Sequence, residues 1–313
     1  MNDRTRSTDI GTTPGASNPG TVPVDPRWLD ADGNLIDEDD RGLVYDIRTL
    51  VNRRSVFGLF GGIAGATLLA ACSSPATSST PSAGVGTAAA TPSASASATA
   101  DAAGPVSEVP DETAGPYPAD GSNGVDVLDD SGIVRSDIRS SFGSSSTTAA
   151  GIPLTIQLAV RNASTGNAMT GAAVYLWHCD RDGEYSLYGQ GAAKNENYLR
   201  GVQQVDARGL VTFTSIFPAA YSGRWPHIHF EVYSDVATAV ASGPIVKTSQ
   251  IALPKEACDA VYATTGYEQS VRNLAQTSLT RDMVFGDDGG IHQIATMSGD
   301  VVSGYTSALT IGV

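Results

Sequence analysis

Between Ile152 and Ala163 the chain reads IPLTIQLAVRNA, with Ile152, Leu154, Ile156, Leu158 and Val160 alternating with Pro153, Thr155, Gln157, Ala159 and Arg161. A period of two is the mark of a strand that turns one face to a core and the other to solvent. The same grammar returns in AAVYLWH (Ala172–His178), in LVTFTSIF from Leu210, in HIHFEVY (His227–Tyr233), and at Ile291–Met297 and Ser307–Val313. Turn-forming clusters separate these runs: STGNAMTGA after the first, DRDG at Asp180–Gly183 and DARG at Asp206–Gly209. Short strands punctuated by Gly and Asp turns predict an all-β fold, an antiparallel β-sandwich. Helical composition is confined to KEACDAVYA between Pro254 and Ala263, with YEQSVRNLAQ behind it as a second short helix or a loop. There is no internal repeat.

The strand grammar starts only after residue 108. Residues 1–50 are polar and rich in Gly, Pro, Thr and Asp. NRRSVFGLFGGIAGATLLAACSS then sets Arg53 and Arg54 before an apolar run from Val56 to Ala71, which ends at Cys72. That run is shorter than the roughly 20 residues a membrane-spanning helix needs and suits a signal sequence. The paired arginines resemble a twin-arginine export signal, and Leu69-Ala70-Ala71-Cys72 resembles a bacterial lipobox whose cysteine takes the lipid. Residues 73–107 are dominated by Ser, Ala, Thr, Pro and Gly, the composition of a flexible tether. The expected organisation is therefore an export region (1–72), a tether (73–107) and one domain (108–313), with membrane contact only through a lipid anchor.

Hydrophobic residues make up 41% of the 313, enough for a real core, and a net charge of −14 disfavours nucleic acid or acidic lipid as partner. Three cysteines exclude a disulfide-dense scaffold. Outside the cytoplasm a disulfide between Cys179 and Cys258 is one reading, and two buried thiols are the other. DADG at Asp30–Gly33 and DRDG are too short for calcium loops and read as turns.

Two of the four histidines stand one residue apart in AYSGRWPHIHF. On a strand His227, His229, Glu231 and Tyr233 share a face, with Ile228, Phe230 and Val232 on the other. The bland reading makes the first set a wet face. The sharper one lets two ring nitrogens converge on a cation. Glu231 as a further ligand would suggest a two-histidine, one-carboxylate iron(II) centre, and His178 or His292 as a third imidazole would suggest zinc or copper. Tyr221 and Tyr185 are the phenolic candidates, and phenolates favour a trivalent ion. With an ordinary phenol pKa of about 10, ionisation at neutral pH needs the charge of the metal itself. Without a metal, His178 reads as a strand-face residue and His292 as structural.

The chain resembles the intradiol ring-cleavage dioxygenases of the protocatechuate and catechol type. GPYPADG (Gly115–Gly121), VRSDIR (Val134–Arg139), WHCDRDGEYS (Trp177–Ser186), YLRGVQQVDARGLVTFTSIFPAAY (Tyr198–Tyr221) and GRWPHIHFEV carry the resemblance, in the family's order. It implies a β-sandwich and a non-haem Fe(3+) held by Tyr185, Tyr221, His227 and His229. It also implies that a catechol-type substrate displaces Tyr221 and that O2 cleaves the ring between the hydroxylated carbons, giving a cis,cis-muconate-type diacid. Arg224 would stabilise charge developing on the ring, its bland alternative being a strand-end salt bridge. Gln250 in KTSQIAL resembles a glutamine that faces the substrate. Ser234–Lys247 reads as an insertion beside the pocket. A reading from another class is a tethered, non-catalytic sandwich that binds aromatic or carbohydrate ligands.

Overall fold

The structure, a computed structural model, describes residues 104–188 and 191–313; the expected export signal, Cys72 and the tether up to residue 103 lie outside the described residues. Among the described residues no helix is long and apolar enough to cross a membrane.

The strands are β1 (Pro153–Arg161), β2 (Ala173–Trp177), β3 (Arg200–Gln204), β4 (Leu210–Ile216), β5 (His227–Tyr233), β6 (Ile245–Ala252), β7 (Thr296–Asp300) and β8 (Gly304–Gly312). They form two four-stranded sheets, ordered β4-β1-β8-β7 and β3-β2-β5-β6. The second sheet is antiparallel throughout. The first corrects the expected all-antiparallel sandwich: β1 and β8 run parallel from Leu154↔Tyr305 to Arg161↔Gly312. A parallel neighbour needs a long crossover, and here most of the domain lies between the two strands.

Between the sheets sit Leu154, Ile156 and Leu158 from β1, Phe213 from β4, and Ile228 and Phe230 from β5. The opposite face of the second sheet is covered as well. Tyr175, Trp177 and Tyr233 pack there with Ala119, Val127 and Leu128 from the segment that precedes β1. All seven residues of β5 are consequently buried, so the His227–Tyr233 face is no wet face. Each large apolar side chain so buried contributes about 1.5–3 kcal/mol.

The helices are α1 (Val236–Val240), α2 (Lys255–Tyr262) and α3 (Glu268–Leu274), the last two where the composition suggested them. The Asp235 carboxylate caps α1 by accepting from Thr238 N at 2.7 Å. The 234–247 insertion is not beside the histidine pair. It leaves from the Tyr233 end of β5, about 20 Å along the strand from His227, and Ser242 Oγ donates to Asp126 there. The strand expected at Ile291–Met297 is also displaced, since only Thr296 and Met297 belong to β7. Gly289 and Gly290 hold φ of 76° and 65°, and Gly290 O accepts from both Gln293 N and Ile294 N, so the chain turns where a strand was expected.

Of the two readings for Cys179 and Cys258, the structure has the second: both are free, buried thiols and not a disulfide. Cys179 Sγ donates to Ala219 O at 3.7 Å and Cys258 Sγ to Leu253 O at 3.9 Å. Burial pushes both thiol pKa values far up, which keeps them inert. The segment before β1 also runs along β6, where Glu112 N donates to Thr248 O and Lys247 Nζ meets Glu108 and Asp111 at 2.7 and 3.2 Å. Burial, with Asp287 and Asp288 adding to it, raises the Glu112 carboxyl from 4.5 to about 8.

Two outcomes are expected. A thiol reagent should find two more reactive cysteines after unfolding in denaturant without reductant than in the native protein; no increase would mean that they are bonded. Between pH 4.5 and 8 the folded protein holds a proton on Glu112 that the unfolded chain releases, so this group's contribution is present in full below 4.5 and lost towards 8. Glu112→Gln should flatten the decline of Tm over that window, where the slope reaches at most about 1.4 kcal/mol per pH unit; unchanged slopes would contradict the assignment.

Candidate metal centre

β5 sets the two histidines on one face, and its neighbours fix their rings. His229 lies opposite Trp177 of β2 and Gln250 of β6. Its imidazole stacks on the Trp177 indole at 5.0 Å with planes 7° apart. His227 Nδ1 lies 2.6 Å from Trp225 O, which can only accept, so the hydrogen sits on Nδ1 and Nε2 presents a lone pair. That Nε2 is 3.1 Å from His229 Nε2 and 3.1 Å from the Tyr221 hydroxyl.

Tyr185 arrives on the turn after β2, which one carboxylate organises. Asp180 Oδ1 accepts from Asp182 N (2.9 Å) and Glu184 N (3.0 Å), and its Oδ2 accepts from the Tyr198 hydroxyl at 3.0 Å. Gly183, at φ 91°, lets this turn lie against the second tyrosine: a Cβ there would stand 3.3 Å from Tyr221 Cβ. The Tyr185 ring meets those of Tyr221 and His229 edge-on, at 6.0 and 6.1 Å. Its hydroxyl is buried and makes no hydrogen bond of good geometry, its polar neighbour being the Tyr221 phenol. Arg200 holds the next residue, donating to Ser186 Oγ at 3.0 Å and Ser186 O at 2.9 Å.

Tyr221 sits at the end of a loop that α2 and α3 grip. The Tyr262 hydroxyl donates to Pro218 O, the Tyr267 hydroxyl to Phe217 O and Asn273 Nδ2 to Ala220 O, while Ser270 Oγ accepts from Ala220 N. Sequence reasoning singled out none of these four residues. The available signal was weak: Ser270 and Asn273 are polar residues on the buried side of a short helix.

Arg224 is fully buried beside the donor set. Its Nε donates to Asp282 Oδ2 at 3.0 Å and its Nη2 to Gln250 Oε1 at 2.7 Å. Gln250 Nε2 is itself committed to Thr113 O at 2.9 Å, so both ends of the Gln250 amide are engaged within the protein. The ion pair anticipated as the bland role of Arg224 exists, with Asp282, but it is buried inside the site. No motif pointed to Asp282.

The other candidate ligands are engaged elsewhere. His178 uses both ring nitrogens, with Cys179 O and Ser215 Oγ each at 2.7 Å. Glu231 Oε2 accepts from the Tyr233 hydroxyl at 2.7 Å, one pleat further along β5. His292 is half-buried in the turn before β7. Among the described residues no three His, Cys, Asp or Glu converge as a metal site, so a centre here depends on the phenols.

Burial first, and the Arg224 charge with it, holds both imidazoles well below their usual pKa, so they are neutral. Burial and the neighbouring Tyr221 push the Tyr185 phenol well above its usual value in the absence of a cation. Tyr221 Oη and His229 Nε2 each lie 3.1 Å from His227 Nε2, a spacing that fits donors around a cation. Ligands about 2.1 Å from a metal and 90–110° apart are separated by roughly 3.0–3.4 Å. Two neutral imidazoles and two phenols form a hard, anion-forming donor set that suits a trivalent ion.

Residues 139–232 match a family model described as Dioxygenase. No curated protein matches the chain. Among solved structures, it is similar to an intradiol ring-cleavage dioxygenase from Tetranychus urticae, 25% identical over 58% of this chain and 87% of that one, with a TM-score of 0.47. It is similar to the dioxygenase domain of a dioxygenase carbohydrate-binding protein fusion from Streptomyces sp. SirexAA-E, 21% identical over 66% and 98%, with a TM-score of 0.42. It is also similar to catechol 1,2-dioxygenase from Pseudomonas arvilla C-1, 20% identical over 56% and 55%, with a TM-score of 0.36. Tyr185, Tyr221, Arg224, His227 and His229 all lie inside the span that matches the Dioxygenase model.

Proposed function

We propose that this protein is an exported, lipid-anchored iron(III) dioxygenase. It would cleave a catechol-type ring between its hydroxylated carbons with O2 and release a cis,cis-muconate-type diacid. The observation that carries the reading is that Tyr221 Oη and His229 Nε2 each lie 3.1 Å from His227 Nε2, with the Tyr185 ring against the His229 ring. Tyr185, Tyr221, His227 and His229 would hold the iron, which would supply the Lewis acidity that readies a bound catecholate for O2.

The two phenols differ in what surrounds them. Tyr185 is buried between Tyr117, Tyr221 and His229 and stays in place. Tyr221 is half-buried and followed by the half-buried Ser222 and Gly223, so it has room to withdraw. Its oxygen would then accept a proton from a substrate hydroxyl. The neutral imidazoles keep lone pairs on the site and carry no charge of their own. Arg224 would stabilise negative charge developing on the substrate, and it acts strongly because it is dry. Gln250 would support Arg224, accepting from its Nη2 while its own Nε2 donates to Thr113 O.

Export rests on Arg53, Arg54 and the apolar run, and anchoring rests on Cys72. Residues 73–107 would serve as tether, leaving the dioxygenase domain outside the cytoplasm.

The purified protein is expected to be red to burgundy from tyrosinate-to-iron(III) charge transfer; a colourless protein that carries zinc would sink the iron reading. Tyr221→Phe should weaken that band and lower catechol-dependent oxygen uptake by at least about 10²-fold, and full activity would remove Tyr221 from the site. Oxygen uptake with catechol, protocatechuate, hydroxyquinol and chlorinated catechols reads out the substrate. Mass spectrometry of the membrane fraction should find a diacylglyceryl group on an N-terminal Cys72. A soluble product cleaved elsewhere would contradict the anchor.

A further inference from the structure

The turn that follows the short 3-10 segment Leu279–Arg281 delivers one buried carboxylate to the candidate metal centre. Asp282 Oδ2 accepts from Arg224 Nε at 3.0 Å and from Trp225 N at 2.6 Å. Its Oδ1 accepts from Val284 N at 2.9 Å and Phe285 N at 3.2 Å, with Arg224 Nη2 at 3.4 Å. Neither member of the pair sees solvent, the side chains being 1% and 0% exposed. A carboxylate offers about four lone-pair sites, so this one is saturated and has no rotational freedom.

Two lines run from it to the site. The first is the guanidinium. Asp282 on one edge and Gln250 Oε1 on another fix the Arg224 plane, and Thr113 O fixes Gln250 in turn. The second is the residue Trp225. Its N–H donates to Asp282, its C=O accepts from His227 Nδ1 at 2.6 Å, and its indole Nε1 is tied to Leu253 O at 2.9 Å. Asp282 thereby fixes in place the residue whose carbonyl meets the His227 ring. A fixed acceptor at Nδ1 orients the imidazole and its tautomer, leaving Nε2 to face the site.

We propose that Asp282 is a positioning residue for both Arg224 and His227, joining them through one carboxylate and the backbone of Trp225. This rests on the iron dioxygenase reading and assigns that site a control point about 60 residues downstream in sequence. Asp282→Asn keeps the shape but offers one acceptor oxygen and turns an NH2 towards backbone and guanidinium donors.

The test uses the full-length, iron-loaded protein with catechol as substrate. Asp282→Asn is expected to lower kcat by about 10–100-fold with KM within about threefold, and to speed iron loss to a chelator by about tenfold. The two lines separate in a double-mutant cycle with Arg224→Gln. In the Arg224→Gln background Asp282→Asn should change kcat less than about threefold, yet still speed iron loss, because the path through Trp225 to His227 remains. Additive kcat losses, or wild-type kcat and iron retention in Asp282→Asn, would overturn the proposal. If Asp282→Asn does not accumulate as folded protein, Arg224→Lys serves, since it keeps the charge and Asp282 but loses the planar attachment. It should lose as much kcat as Arg224→Gln, and wild-type kcat in Arg224→Lys would overturn the proposal. A wild-type protein with neither the visible band nor catechol-dependent oxygen uptake overturns the dioxygenase reading itself, and this inference with it.

Discussion

The Arg200 guanidinium is fully buried, and among the described residues no carboxylate pairs with it. Its partners are the Ser186 hydroxyl and carbonyl, the Pro118 carbonyl and the Tyr175 hydroxyl. Removing a cation from water costs several kcal/mol even after relaxation, and only a full set of acceptors offsets it. Those acceptors come from three places: the segment before β1, strand β2, and the turn that carries Tyr185. None of the three can move without leaving a buried charge short of a partner. The cover over the second sheet and the position of Tyr185 are thus one problem with one solution.

The same low-dielectric setting explains the rest of the centre. A sheet packed on both faces keeps the imidazoles neutral, the Tyr185 phenol protonated, and Arg224 dependent on Asp282 and Gln250. Helices α2 and α3, which look like decoration on a sandwich, supply the side chains that fix the peptides of the Tyr221 loop. Two tyrosines from different loops can then meet two histidines from one strand without any residue of the set being flexible by accident.

Alternation made β1, β2, β4 and β5 readable, because each turns one face to the core between the sheets. It misjudged the second face of β5, since cover comes from a remote segment whose own sequence shows no periodic pattern. The phenols and imidazoles of the centre were readable through spacing and family resemblance. Asp282, Ser270 and Asn273 were not, because their roles depend on contacts across 50 or more residues that leave no local pattern. The shift of β7 was in principle legible from Gly289 and Gly290, whose backbone freedom outweighed the apolar residues after them. The separation of Cys179 and Cys258 was not, since compartment chemistry says when cysteines pair and nothing about where the fold puts them.

The parallel pairing of β1 with β8 has a consequence for how the domain comes to exist. Strand β8 enters the chain about 150 residues after β1 and fills the place between β1 and β7. Until then β1 has an apolar, β-branched edge with no neighbour, the kind of surface that recruits other chains. Loop closure over that distance is slow compared with local pairing. The nascent domain is therefore most vulnerable to aggregation during synthesis, and a route that moves it only after folding would carry it with that edge already sealed.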